Sequence, residues 1–445
     1  MAQNINQKDF LILSYNEGAE DFTHGDHCNE IKEKIIKEKP LFIFVCTQES
    51  KTVGKEHYQH ILGTVIKEIT LNNKRCYKPL LKVDASISTL ASIVKTNKNV
   101  RTRIYYNENV VLNNITTKSY NNILKSKSRK YLKNTTEILE ELESYYDDSI
   151  FNKSEPLNDN HEYIIRKIGI YQSKKSGLGE LTTGTIFKGA IYTRLEIADK
   201  SDNLIKFVII NTHLYFHASN TGNTGLSKRK KQFDMLINEF KLPEHYNNDY
   251  NIFFCGDLNF RLFDLLDVEK FPKSNNALIN RTNILSEKII TMFGDEGNNV
   301  IDVRNNNNTK ITFNNNELYK NIKTSLTNLI KKYKNSVLSN AEVLKYNLFK
   351  KFYKNAKKFG IHLTCKIHQN TTNETKKCFS KKTQNGMFNC SHKGAPRIPS
   401  MCDKILTANQ DNILITKDDF TLLTKLRKSD HHMISLTGKF FIKAM

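Results

Sequence analysis

Five apolar runs in this chain each border a residue that can hold a metal ion or a phosphate. They are Asn16 in LSYNEG (13–18), Glu49 in FVCTQES (44–50), His213 in IINTHLYFH (209–217), Asp257 with Asn259 in FFCGDLNFR (253–261), and Asp430 with His431 in KSDHHMISL (428–436). Asp257 and Asn259 stand at i and i+2 after Gly256, so from a strand end both side chains project to one side, into a cleft. A carboxylate beside an amide suits activation of a water and retention of a phosphate oxygen. An Asp-His pair can bind metal or carry protons. Each stretch alone has a plainer reading, because Gly-Asp and Asn favour turns and histidines beside strands are commonly structural. Five together are hard to assign to turn chemistry. A sixth stretch, PRIPSMCDKIL (396–406), sets Asp403 between Cys402 and Lys404 at the start of another apolar run.

The elements that must position these groups are strands covered on both faces, since most of the runs are continuously apolar rather than alternating. Strands are expected at 10–16, 41–47, 185–197, 206–214, 251–260, 412–416 and 433–438. Helices are expected at 28–39, with Ile31, Ile35 and Ile36 on one face, and at 227–240, with Ser227 as N-cap and Phe233, Leu236, Ile237 and Phe240 at helical spacing. Two sheets sandwiched between helices is the simplest arrangement. Residues 101–165 and 315–360 interrupt the rhythm and read as polar, helix-prone insertions into one domain spanning 8–440.

Composition limits the partners and the compartment. The chain has 445 residues, 38% hydrophobic, with 25 Phe and 19 Tyr, enough for a sizeable core. Its 68 basic and 46 acidic residues give a net charge of +22, which favours nucleic acid, an anionic membrane or a phosphorylated small molecule. The eight cysteines form no CxxC pair, and Cys46 and Cys255 lie in apolar runs, so buried free thiols are expected. His362, Cys365 and His368, with Cys378 and Cys390 downstream, lack the ligand spacing of a zinc finger. There is no apolar leader or membrane-spanning run, and a cytoplasmic protein with at most peripheral membrane contact is expected.

Asn16, Glu49, His213, GDLN and SDH occur here in the order found in the endonuclease/exonuclease/phosphatase superfamily. Within it, GDLNFR and RIPSMCDKIL resemble the two signatures of the inositol polyphosphate 5-phosphatases, GDLNYR and R-x-P-[AS]-W-C-D-R-I-L. GTIFKGAIYTRL (184–195), LTCKI (363–367) and FNCSHK (388–393) resemble further family segments in the same order. The resemblance implies a DNase I-like, four-layered α/β sandwich and Mg²⁺-dependent hydrolysis of the 5-phosphate of inositol phosphates or phosphoinositides. It implies Asn16 and Glu49 as Mg²⁺ ligands with Asp430 near the metal, and Asp257 as the group that orients and deprotonates water. Asn259 and His213 would bind phosphoryl oxygens, and His431, held by Asp403, would contact the scissile phosphate. Lys188, Lys366, Lys393, Arg397 and Lys404 would grip a neighbouring phosphate.

The sequence departs from the pattern at Met401 (Trp in the family), Lys404 (Arg) and Phe187 (Asn), and Gly394 and Ala395 separate Lys393 from Arg397. These departures bear on ring-phosphate preference more than on catalysis. Two other readings remain. A DNase-like endonuclease shares the core constellation and suits the charge. A non-catalytic phosphoinositide or nucleic-acid binder would have lost Glu49, Asp257, Asn259, Asp403 or His431, and all five are present.

Overall fold

Residue alternation along the apolar runs explains the layers. The computed structural model describes residues 8–17, 29–50, 77–85, 99–107, 110–112, 162–173, 189–214, 223–260, 316–362, 364, 401–423, 429 and 431–441. Its strands are β1 (Phe10–Asn16), β2 (Phe42–Ser50), β3 (Tyr77–Ala85), β4 (Asn99–Asn107), β5 (Val110–Leu112), β6 (Tyr163–Ser173), β7 (Gly189–Asp199), β8 (Leu204–His213), β9 (Tyr250–Asp257), β10 (Asp403–Ala408), β11 (Ile413–Leu414), β12 (Phe420–Leu423) and β13 (Met433–Phe440). Its helices are α1 (Asn29–Glu38), α2 (Asn223–Glu239), α3 (Leu242–Asn247), α4 (Glu317–Asn335) and α5 (Asn340–Phe359).

One sheet runs β11-β13-β1-β2-β4-β3, with β12 also paired to β13, and the other runs β10-β9-β8-β7-β6-β5. Both are mixed: β1–β2, β8–β9 and β5–β6 are parallel, whereas β1–β13 and β9–β10 are antiparallel. Phe10 and Ile12 of β1 and Phe42 and Phe44 of β2 point between the sheets, where they meet Phe207, Ile209, Phe253 and Cys255. Their neighbours Leu11, Leu13, Ile43 and Val45 point the other way, onto Ile31 and Ile35 of α1. On the far side, Val208, Ile210, Ile252 and Phe254 pack under α2, α4 and α5. Edge-on contacts of Phe10 with Phe207 and Phe253, at 5.9 and 5.5 Å between centroids, lock the middle of the sandwich. The result is the four-layered α/β sandwich that the sequence implies. Cys46, Cys255 and Cys402 are buried and not in disulfides. Among the described residues no helix is long and apolar enough to cross a membrane.

Two expectations are corrected. Residues 101–107 and 110–112 are strand, not helical insertion: β4 alternates Val100, Thr102 and Ile104 with Arg101, Arg103 and Tyr105, and it pairs with both β2 and β3. The remainder of that segment, 113–161, lies outside the described residues. Helix α2 starts at Asn223, which places Ser227 inside the helix rather than at its cap. The second polar segment is helical as expected, but it is part of the outer layer, because Leu348, Phe349, Phe352 and Ala356 of α5 and Leu318 and Ile322 of α4 belong to the core.

Candidate active site

Topology alone gathers the chemistry. β1 and β2 are parallel with Asn16 opposite Gln48, so both strands deliver their C-terminal ends to the same rim. β8 and β9 are parallel with His213 opposite Asp257, and antiparallel β10 starts with Asp403 opposite Asp257. β13 runs antiparallel to β1, which brings His431, two residues ahead of the strand, to the same end.

Local backbone devices then aim the side chains. Gly256 takes φ 130°, and a Cβ there would lie 1.9 Å from the Thr212 carbonyl oxygen, so only glycine lets β9 close on β8 beside Asp257. The β2–β4 pairing slips between Thr47 and Ser50, and Glu49 within the slip has φ 51°. This irregularity re-aims a carboxylate that regular pleating would place elsewhere. Asn259 also adopts a left-handed backbone, φ 54°, a conformation that Asn tolerates better than most residues.

The side chains form two linked groups. Asp257 Oδ2 accepts from Asn16 Nδ2 at 2.9 Å and lies 3.3 Å from His213 Nε2, while its Oδ1 accepts from the Asn259 amide N–H at 3.0 Å. His213 Nε2 is also 3.8 Å from Glu49 Oε1. In the second group, His431 Nδ1 and Asp403 Oδ2 are 2.8 Å apart. Asp257, Asp403 and His431 bring candidate ligand atoms within 4.8 Å of one another. Burial pushes the Asp403 carboxyl upward, with the charge of Asp257 acting in the same direction and His431 opposing it. Asp403 Oδ1 is buried and has no hydrogen-bond partner.

Residues 150–276 match the family model described as Endonuclease/Exonuclease/phosphatase family 2. That stretch carries β6 to β9, and with them His213, Asp257 and Asn259. No curated protein matches the chain. Among solved structures, the human Nocturnin catalytic domain with bound sulfate is similar over 99% of this chain and 96% of that one, at 11% identity and a TM-score of 0.38. Truncated TDP2 from Caenorhabditis elegans is similar over 97% of each chain, at 12% identity and a TM-score of 0.34. A Cimex nitrophorin in its ferrous NO complex is similar over 98% and 99%, at 11% identity and a TM-score of 0.40.

The donor set fits a hard divalent cation. Asn16 and Glu49 offer an amide oxygen and a carboxylate from adjacent parallel strands, and the Glu49 side chain is 20% exposed at the rim. Few protein oxygens with room for water is the pattern that Mg²⁺ favours. In the trio of Asp257, Asp403 and His431, His431 Nδ1 is engaged by Asp403, which makes Nε2 the ring atom that a ligand would meet.

Supporting residues were not evident from the motifs. Thr364 Oγ1 accepts from the Asp403 N–H at 2.9 Å, and the Thr364 carbonyl accepts from the His432 N–H at 2.7 Å, tying β10 to the approach of β13. The Ser429 N–H donates to the Tyr15 hydroxyl, and the His431 N–H to Ser429 Oγ, each at 3.2 Å. Beneath the site, Gln48 Nε2 donates to Asn211 Oδ1 at 2.8 Å, and Asn211 Nδ2 donates to the Arg101 carbonyl at 2.6 Å, cross-linking the sheets. Their signal in the sequence is a buried-length apolar run broken by an amide one or two residues before the candidate ligand. Lys404 is not brought to the cluster: it is buried, and its Nζ donates to the carbonyls of Phe260 and Met401, which Asn316 Nδ2 also contacts. Adjacent strand residues face opposite ways, so Lys404 supports the loops flanking Asp257 and Asp403 instead. Asp430, Lys188, Lys366, Lys393 and Arg397 lie outside the described residues.

Proposed function

We propose that this chain is a divalent-metal-dependent phosphomonoesterase of the endonuclease/exonuclease/phosphatase superfamily, acting on the 5-phosphate of inositol polyphosphates or phosphoinositide head groups. The observation that supports a hydrolytic site is the Asp403–His431 pair set beside an Asp257 carboxylate that Asn16 Nδ2 and the Asn259 main-chain N–H hold in place, with His213 Nε2 3.3 Å away. The inositol preference rests on RIPSMCDKIL and GDLNFR, together with LTCKI and FNCSHK. When bound at Asn16 and Glu49, Mg²⁺ would supply Lewis-acid charge to a phosphoryl oxygen. Asp257 orients a water and takes its proton as the water oxygen bonds to phosphorus. The bond from phosphorus to the ring oxygen breaks, and that oxygen leaves as an alcohol by taking a proton from solvent water. His431, kept in position by Asp403, donates to the phosphoryl oxygens, where negative charge is greatest.

A DNase-like endonuclease is the second reading, favoured by the net charge of +22 and by the breadth of the matching family description. Phosphate release measured with Mg²⁺ across soluble inositol phosphates and short-chain phosphoinositides separates the two, with plasmid nicking on the same preparation. Release from 5-phosphorylated substrates alone, abolished by EDTA and by Asp257→Ala, is the expected result. Nicking without phosphate release would replace it with the nuclease, and silence in both assays would leave a binding module.

A further inference from the structure

Helices α4 and α5 form a hairpin whose inner half is core and whose outer half is not. On α4, Tyr319, Ile322, Leu326, Ile330, Tyr333 and Val337 follow one another at spacings of three or four, a single apolar stripe that continues just past the helix end. Tyr319 and Ile322 are buried in the core, and Leu326 packs against it. The same stripe then emerges: Ile330 is 43% exposed, Tyr333 69% and Val337 91%. Val343 on the first turn of α5 is exposed as well. No residue from 323 to 347 is buried, and beyond Leu326 about 13 Å of α4 extends past the packed region.

The tip is nevertheless a defined structure. Ser339 caps α5 in a reciprocal capping box with Glu342, and Lys332 Nζ reaches Glu342 Oε1 at 2.6 Å to join the two helices. Its charge is one-sided. Residues 317–359 hold eleven lysines and two glutamates, a net +9, with no acidic residue from Leu318 to Ala341. One glutamate, Glu317, is buried against Arg229, and the other is the cap.

We propose that the tip of this hairpin docks on an anionic lipid bilayer, with Tyr333 and Val337 entering the interfacial layer and Lys323, Lys331 and Lys334 facing lipid phosphates. Charge complementarity selects the occupant. A second copy of the chain would bring one tip, with five lysines and one glutamate over 323–347, against an equally positive one, which opposes self-association. Nucleic acid would satisfy the lysines but leaves exposed aliphatic side chains on a phosphate surface where they gain nothing. Only a bilayer interface accepts both halves of the pattern. The proposal is independent of which phosphate ester the site hydrolyses.

Flotation of the full-length protein with vesicles of phosphatidylcholine alone, and of phosphatidylcholine mixed with phosphatidylserine, tests it at low and raised NaCl. The protein is expected to float with the mixed vesicles only, and less as salt rises. Lys323→Gln/Lys331→Gln/Lys334→Gln is expected to weaken partitioning by roughly 100-fold. Tyr333→Ser/Val337→Ser is expected to weaken it by about tenfold with an unchanged melting temperature, because both side chains are exposed. Equal flotation on neutral vesicles, or wild-type flotation of either variant, would overturn the proposal. So would retention by duplex DNA without flotation, or a clear melting loss in Tyr333→Ser/Val337→Ser, which would place the stripe inside the fold.

Discussion

Asp257 and Asp403 face each other across one strand pairing, yet their surroundings assign them different work. Asp257 accepts from Asn16 and from the Asn259 amide and lies beside His213, a setting that fixes both carboxylate oxygens. Asp403 has one oxygen on His431 and the other without a hydrogen bond, in a position where burial raises the carboxyl. His431 is the largest influence opposing that rise, so the two residues act as one unit. Asp403→Asn keeps the shape and removes the charge. Under the proposed reaction it is expected to lower kcat by 10²–10⁴-fold, with KM little changed, as loss of a positioned proton-holding pair does elsewhere. His431→Gln should cost a similar factor, and the double variant little more than either. Steady-state kinetics on all three proteins checks this; a double variant whose loss equals the product of the single losses would show that the residues act separately.

At the scale of elements, the site depends on two sheets being held at one relative position, and Asn211 is the main polar fastener beneath it. From β8 its amide reaches Gln48 and the Arg101 carbonyl across the inter-sheet layer, where water is excluded. Asn211→Ala would leave the Gln48 amide nitrogen with the Cys46 carbonyl alone as acceptor and take a donor from the Arg101 carbonyl, at an expected cost of about 2–4 kcal/mol by urea unfolding. Adding Gln48→Leu to it should recover part of that loss, since an apolar pair leaves fewer unsatisfied groups. The strand ends carrying Asn16, His213 and Asp257, and the approach to β13 carrying His431, were legible because several apolar runs each border such a residue, where one alone reads as a turn. Strands β3 and β4 were not, because YKPLLKVDA and NVRTRIYYN intersperse lysine, arginine and proline with their apolar residues, and that pattern weakens every local signal. Glu49 could be named from the sequence, but the pairing slip that turns it to the rim depends on β4 and is invisible locally. Lys404 was misplaced for a related reason: alternation along β10 sends it away from Asp403, and only the loops it bonds to reveal why a lysine is tolerated there.

At the scale of the whole molecule, buried His362 and half-buried Asp9 contribute to the pH response with opposite sign at different places in the sandwich. His362 lies against Phe420, with rings tilted at 48° and centroids 4.6 Å apart, neither ring nitrogen has a partner, and burial beside Lys404 holds it down to about 3 from 6.5. Its neutral form stabilises the fold fully above the unfolded value of 6.5, and that contribution is lost as pH falls toward 3. Asp9, at the start of β1, is pushed up by burial to about 6 from 3.8, even though the Phe440 N–H donates to it. Its protonated form stabilises the fold fully below 3.8, and that contribution is lost as pH rises through 6. At pH 5 linkage gives a loss of about 2 kcal/mol from His362 against about 1.4 kcal/mol retained from Asp9, so the two together change stability less than either would alone. Single substitutions expose the two limbs. Between about pH 7 and 4, His362→Phe should spare the protein roughly 3 kcal/mol of acid loss relative to wild type, while Asp9→Asn should deepen that loss by roughly 2 kcal/mol. Urea unfolding of the three proteins across this range reads both difference curves. Curves of the same sign, or flat ones, would mean that these two side chains do not set the pH response of the sandwich.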